Sequence, residues 1–236
     1  MPSSIVLLSG GLDSTVNLKC ALDAGGAKAL TFDYRQRAAR REIEAAAAMC
    51  ARYGLAHHVL AIPWLGDTSP SALTAKGKAI PRPVAAQLDG PVAAKRTARQ
   101  VWVPNRNGVF LAIAAAFAES FGTEQVVPGF NAEEAATFPD NSAGFIRAFN
   151  RSLRFSAGRP VRVKCYTAAK NKAAIVRLGL RNDAPLDLVW CCYEGRRRMC
   201  GACESCLRFT RAVDRARAGD WFRNRHKRLP PRFKAR

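Results

Sequence analysis

Ser9-Gly10-Gly11-Leu12-Asp13-Ser14 is the first stretch whose residue types and order can do chemistry. Two glycines let a ligand come against bare backbone. A helix starting directly after them aims unpaired N–H groups, and the positive end of its dipole, at the same point. Ser9, Ser14 and Thr15 add hydroxyl donors, and Asp13 is a carboxylate suited to a magnesium ion carried by phosphates. A lone Gly-Gly turn would read as a capped bend. Six such residues between an apolar run and a helical pattern point to phosphate binding instead. The chain has no G-x-x-x-x-G-K-[ST] loop, which excludes a Walker-type site transferring a terminal phosphate.

A second chemical cluster is Cys192, Cys200, Cys203 and Cys206, spaced C-x7-C-x2-C-x2-C. Cysteines two residues apart around a tight turn, here supplied by Gly201, chelate one metal, and an upstream cysteine closes a tetrahedron. Four thiolates leave no open position, so the expected role is structural: a zinc ion fastening the C-terminal segment to the rest. An iron–sulfur cluster is the rival and four unligated thiols the third reading; Cys191 competes with Cys192 for the first position. Cys20, Cys50 and Cys165 fall in apolar patterns and read as core residues.

The elements that must position these groups follow from periodicity. Ile5-Val6-Leu7-Leu8 is an all-apolar run, as in a strand buried on both faces. A helical pattern over 13–24 stops at Gly25-Gly26. A strand over 27–34, a helix over 38–53 stopped by Gly54, and a strand over 57–62 come next. This alternation predicts crossover units: an α/β, Rossmann-like parallel sheet of about five strands with helices on both faces. Periodicity fails between Gly66 and Gly90, which reads as a lid or surface loop. Further expectations are a helix over 107–121, a strand over 125–130, helices over 142–153 and 168–178, and a basic helix over 204–218 after the cysteines. The division expected is a single domain over 1–219, with its zinc subsite at 190–210, and a basic tail over 220–236, solvated by composition.

Other residues have two readings each. Arg37 and Arg106 follow strand ends, where parallel sheets bind ligands, and can clamp a carboxylate or phosphate or form surface ion pairs. Asp140 can accept hydrogen bonds from a guanine-like edge or cap the next helix. Tyr34 and Phe138 can stack on a flat base or simply pack. Lys172 reaches phosphates or stays solvated, and His57-His58 reads as structural.

The Ser9–Ser14 loop resembles that of the ATP pyrophosphatase (PP-loop) superfamily, whose members split ATP between the α and β phosphates and leave AMP on a substrate oxygen. With the cysteine cluster, the chain from Ile5 to Arg211 resembles the 7-cyano-7-deazaguanine synthase family. Matching segments, in order, are Tyr34-Arg35-Gln36-Arg37, Val103-Pro104-Asn105-Arg106-Asn107, Gly129-Phe130-Asn131 with Phe138-Pro139-Asp140, Lys172 with Ile175-Val176, and Trp190-Cys191-Cys192-Tyr193. The resemblance implies an ATP-dependent carbon–nitrogen ligase. It would convert 7-carboxy-7-deazaguanine and ammonia to the nitrile through adenylated carboxylate and amide intermediates, releasing AMP- or ADP-type products with phosphate or pyrophosphate. ATP, magnesium and zinc would be its cofactors and a homodimer its assembly. By this resemblance Leu8, Ser9, Gly10, Gly11, Leu12, Asp13, Ser14 and Thr15 hold ATP. Ser9, Asp13, Ser14 and Lys172 serve the chemistry, and Tyr34, Gln36, Arg37, Arg106, Asn107, Phe138 and Asp140 hold the base. The chain departs from the family pattern at Arg35, Ala38, Asn141-Ser142 and Cys165-Tyr166-Thr167, where the family has Gly, His, Cys-Arg and Thr-Pro-Leu.

Lys and Arg number 38 against 18 Asp and Glu, a net charge of +20 that favours polyanions. Seven of the cations lie in 221–236, and with Arg196-Arg197-Arg198 they are the candidate nucleic-acid contacts. Two competing functions follow: an activating enzyme that joins the deazaguanine carboxylate to an amine of a protein or nucleic acid, or modifies tRNA; and a non-catalytic nucleotide- or nucleic-acid-binding module. No leader or membrane span is expected, and metal-spaced cysteines suit a reducing cytoplasm.

Overall fold

A computed structural model of the chain describes residues 3–88 and 90–230. Five strands pair in the order β3-β2-β1-β4-β5: β1 (Ser4–Leu7), β2 (Ala27–Asp33), β3 (His57–Ala61), β4 (Gln125–Val127) and β5 (Arg162–Val163). Every neighbouring pair is parallel, with Val6 opposite Ala29 on one side and Val127 on the other. Successive side chains of a strand point to opposite faces, and the core divides accordingly. Ile5, Leu30 and Val126 enter one cluster; Val6, Ala29 and Val127 enter the other. Ile5 and Val6 are both buried, which is why β1 carries no polar alternation.

Parallel neighbours need crossovers, and the helices supply them. On one face lie α1 (Leu12–Asp23), most of α2 (Ala39–Tyr53), α8 (Lys172–Arg181) and α9 (Glu204–Arg215), burying Val16, Met49, Ile175 and Phe209. On the other, α5 (Arg106–Ser120) and α7 (Ala143–Ser156) bury Leu111, Ala114 and Leu153. Helices α3 (Pro63–Asp67), α4 (Pro91–Val101), α6 (Ala132–Ala135) and α10 (Gly219–Arg225) complete the order. Among the described residues no helix is long and apolar enough to cross a membrane.

From β1 the chain winds outward through β2 to β3, then returns to place β4 on the other side of β1. The strand order therefore reverses between β1 and β4. Ligands of open parallel sheets bind at the carboxyl ends of the strands flanking such a reversal. The loop after β1 is Ser9-Gly10-Gly11, and the loop after β4 is Pro128-Gly129-Phe130.

Four expectations change. β4 stops at Val127, because Pro128 has no N–H to continue the ladder. Just beyond the stretch lacking periodicity, α4 forms behind Pro91, a residue preset for the first helical turn. β5, two residues long, is too short for any periodicity to mark. The segment to Pro230 is not a solvated tail: α10 turns back and buries Phe222, His226 and Leu229, with Phe222 edge-on to Phe209 at 5.3 Å. Residues 231–236 of the expected tail lie outside the described residues. Truncating Phe222 to alanine is expected to cost about 3–5 kcal/mol, as for other buried aromatics. Denaturant titration checks this, and a cost below about 1 kcal/mol would mean that the segment does not hold to the core.

Candidate nucleotide-binding active site

The loop after β1 is shaped by contacts that admit only glycine. Gly10 has φ +73°, and a Cβ there would lie 2.7 Å from Ala45 Cβ of α2. Gly129 comes as close from β4, where a Cβ would meet Ser14 N at 2.7 Å. The loop is thus wedged between α2 and the β4 loop. Ser9 Oγ lies 3.2 Å from Ser14 Oγ and accepts from Gly11 N at 3.3 Å. Above it opens a cavity of about 260 Å³, lined by Leu8, Ser9, Gly11, Leu12, Asp13 and Ser14. The first-turn N–H groups of α1, which helix geometry leaves without partners, edge this cavity. Gly10 and Thr15 do not line it. Gly10 packs on α2 and accepts from Trp190 N at 2.8 Å, while Thr15 Oγ1 ties back to Gly11 O at 2.7 Å.

Beneath the loop, Lys172 Nζ donates to Asp13 Oδ2 at 2.8 Å and to Glu134 Oε1 at 2.7 Å. Lys172 opens α8 and is buried, so the solvated reading of this lysine is wrong. Burial alone would pull its ammonium down, but the Asp13 and Glu134 charges hold it well above the ordinary lysine range. Asn131 Nδ2 also donates to Asp13 Oδ2, at 3.1 Å. Asp13 Oδ1 is buried and has no hydrogen-bond partner among the described residues. A carboxylate with one oxygen committed and one bare fits a divalent cation held together with phosphates. Sequence reasoning missed Glu134. Its available signal was Asn131 three residues before it, an N-cap whose side chain accepts from Glu134 N at 2.9 Å.

The opposite wall comes from the loop after β2 and the start of α5. Tyr34, Gln36, Arg37, Arg106, Asn107 and Phe138 all line the cavity. Tyr34 packs against Phe110 with centroids 5.5 Å apart, and its phenol accepts from Arg106 Nη1 at 3.2 Å. Arg106 stays charged: burial opposes it, but the Tyr34 and Asp140 oxygens raise it. Gln36 is fully used by its surroundings, accepting from Tyr34 N at 2.9 Å and donating to Phe32 O at 3.0 Å and Glu42 Oε2 at 2.8 Å. Arg37 turns its guanidinium to the carbonyls of Ala75 and Lys78, fastening the loop that follows α3. Phe138 stacks on Trp102, interplanar angle 7°, at 6.0 Å.

Asp140 sits in a single 3-10 turn, Pro139–Asn141, and does not itself line the cavity. It does not cap α7 either; Ser142 does, its Oγ accepting from Phe145 N at 3.1 Å. Asn141 does line the cavity, and Asp140 Oδ1 and Asn141 Oδ1 are both buried acceptors without partners among the described residues. The orphan acceptor on the cavity wall, Asn141 Oδ1, fits a ligand edge that offers N–H groups.

The cysteine cluster lies beyond Trp190. The Sγ atoms of Cys192, Cys200, Cys203 and Cys206 are all within 4.8 Å of one another. A tetrahedron with zinc–sulfur bonds of about 2.3 Å has edges of about 3.8 Å, so the set fits one tetrahedral ion. Backbone N–H groups of Glu194 and Cys200 point at Cys192 Sγ, and those of Ala202 and Cys203 at Cys200 Sγ, which favours thiolates. Cys191 is excluded from the set; it lines the cavity and contacts Met199 Sδ at 3.4 Å.

The comparisons with known proteins agree with this geometry. The pattern of the family described as queuosine biosynthesis protein QueC matches residues 3–217. The chain belongs to the QueC family. A protein of Pelotomaculum thermopropionicum named 7-cyano-7-deazaguanine synthase is 52% identical over 214 residues, 90% of this chain and 97% of its own length. One of Bdellovibrio bacteriovorus with the same name is 49% identical over 210 residues, 88% and 91%. In Methanosarcina mazei the figure is 40% over 213 residues, 89% and 92%. Among solved structures, NMN synthetase from Francisella tularensis is 14% identical, covers 96% of this chain and 86% of its own, and has a TM-score of 0.46, too slight to add to the argument.

Proposed function

We propose that this QueC-family chain is a 7-cyano-7-deazaguanine synthase that adenylates the carboxylate of 7-carboxy-7-deazaguanine, admits ammonia, then adenylates the amide and expels its oxygen to leave the nitrile. The observation carrying this is one cavity at the β1/β4 reversal that joins the Ser9–Ser14 loop to the flat, acceptor-bearing wall of Phe138 and Asn141. Relatives matched over about nine-tenths of the chain bear that name.

The first-turn amides of α1, with Ser9 and Ser14, serve to hold the departing pyrophosphate, where preorganised donors lower the barrier. Asp13 Oδ1 is the oxygen to take magnesium, which would neutralise phosphate charge and make AMP a better leaving group. Lys172 holds Asp13 and Glu134 in place and adds positive charge beneath the phosphates. Arg106 faces the cavity as a fixed cation for the substrate carboxylate, and Asn141 offers an acceptor to the base. Zinc is the ion best suited to four thiolates, and there it would be structural.

Departures from the family pattern mostly miss the cavity. Arg35 takes a left-handed φ of 63° and pairs with Asp67 at 2.9 Å in solvent. Cys165 and Thr167 bond to Phe130 O behind the loop. Ala38 and Asn141 do reach the cavity. The small-molecule reading therefore needs no macromolecular acceptor. The segment 1–219 acts as one catalytic unit in this proposal, homodimeric as the family resemblance implies and cytoplasmic as the metal-spaced cysteines suggest. Incubation with ATP, magnesium, ammonium and 7-carboxy-7-deazaguanine is expected to give the nitrile by mass. No pyrophosphate release and no change in substrate mass would reject the reading.

A further inference from the structure

Among the described residues, five carboxyl side chains line the cavity: Asp13, Glu42, Glu133, Glu134 and Glu204. Four are matched by cations. Asp13 and Glu134 share Lys172, Glu133 Oε2 accepts from Arg211 Nη2 at 3.2 Å, and Glu204 Oε1 accepts from Arg208 Nη2 at 2.8 Å. Glu42 forms no ion pair among the described residues. It stands in the first turn of α2, whose main chain presses on the phosphate loop: a Cβ on Gly10 would lie 3.1 Å from Glu42 O. Among the described residues its carboxylate accepts one hydrogen bond, from Gln36 Nε2, a neutral donor fixed at both ends by β2 and its loop. The charged and titratable groups facing it are Asp33 at the end of β2, Arg106 at the start of α5, and the Tyr34 phenol.

The proposed reaction requires a base. Near neutrality ammonia is present almost wholly as ammonium, which has no lone pair to attack with. We propose that Glu42 is the general base of the ammonia step: its carboxylate receives ammonium in the cavity and removes one proton. The nitrogen lone pair then forms the C–N bond of the amide, and the C–O bond to AMP breaks with its electrons going to the phosphate oxygen. The second proton shed by nitrogen leaves on AMP, and Glu42 returns its own to solvent. This assignment rests on the adenylation reading above and adds a residue to it. Burial, the largest influence on this carboxyl, outweighs the Gln36 bond and Arg106 and, with Asp33, pushes it up to about 7. A group balanced at working pH is the form general-base catalysis favours. Of the matched carboxylates, Asp13 is reserved for the divalent cation, Glu134 is held charged against its burial by Lys172, and Glu133 and Glu204 are paired with Arg211 and Arg208.

Glu42→Gln keeps an acceptor for Gln36 Nε2 and removes the base. Two partial reactions are to be measured: pyrophosphate exchange into ATP driven by the carboxylic substrate without ammonium, and amide formation with ammonium. Near neutrality the ratio of amide formation to exchange is expected to fall about 10²-fold in the variant, the usual worth of a positioned base. It should recover as pH rises and free ammonia becomes abundant. With hydroxylamine, a nucleophile already unprotonated at neutrality, the ratio should match the parent's, and Glu42→Asp should fall between. An unchanged ratio with ammonium, or an equal loss with both nucleophiles, overturns the assignment. A parent chain without substrate-driven exchange is a different failure, which removes the adenylation reading and this one with it.

Discussion

Changing Asp13 to asparagine is expected to lower ATP-dependent pyrophosphate release about 10³-fold, the scale of removing a preorganised electrostatic contact from a phosphate or oxyanion site. The substitution keeps the size of the side chain and an oxygen for Lys172 and Asn131, now at 2.8 and 3.1 Å from Asp13 Oδ2. What it removes is charge. The position of the partnerless Oδ1 becomes an amide NH2, which cannot ligate a divalent cation, and the phosphates lose the neutralisation that such an ion brings. The fold should tolerate the change within about 2 kcal/mol, because Lys172 keeps Glu134 at 2.7 Å and is not left a lone buried charge. Removing Lys172 is a different experiment: it would strand the buried Asp13 and the half-buried Glu134, and lost activity would then say little about chemistry. The measurement is the initial rate of pyrophosphate release with magnesium in excess, beside a melting curve. An asparagine variant within tenfold of the parent would place the cation elsewhere.

Why Asp13 could be picked out from sequence, and Glu42 and Glu134 could not, is a matter of range. The Ser9–Ser14 loop and the four cysteines are local signals: the residues that cooperate are neighbours in the chain. The same holds for the strand order near β1, since an all-apolar run followed by glycines and a helical pattern already implies a crossover. Lys172 and Asp13 meet across 159 positions, and no periodicity reports that. Glu42 sits in a helix whose polar positions read as a solvated face. It is half-buried and faces the cavity because α2 is packed against Gly10, a contact made by the fold and not by the helix pattern. Asp140 shows the reverse case. Sequence offered a helix cap or a base acceptor, and Ser142, two residues later, takes the cap. The C-terminal segment misled because cation count dominates its composition, while Phe222 and Leu229, which decide its packing, are only two residues.

Removing one cysteine ligand should have the largest structural effect of any single change. Cys206→Ser is expected to take the zinc content from about one per chain to near zero, since three thiolates without the fourth lose the closed tetrahedron. Structural zinc contributes about 10–16 kcal/mol of apparent binding energy at neutral pH, comparable to or larger than the whole stability of an ordinary domain. Cys206 lies in the first turn of α9, the helix that buries Phe209 and Val213 and presents Glu204 and Arg208 to the cavity. Arg208 and Arg211 hold Glu133, whose Oε1 accepts from Lys172 N at 2.9 Å. Loss of the metal is therefore expected to free α9 and α10 from the sheet and to loosen the lysine beneath the phosphate loop, abolishing activity without touching a reacting atom. Chelation of the parent protein should reproduce the effect, and zinc should reverse it. Elemental analysis, circular dichroism melts with and without chelator, and the absorption spectrum together decide the matter. A visible charge-transfer band would make the cluster iron–sulfur, and a chelated protein that melts where the parent does would show that the four thiols carry no structural metal.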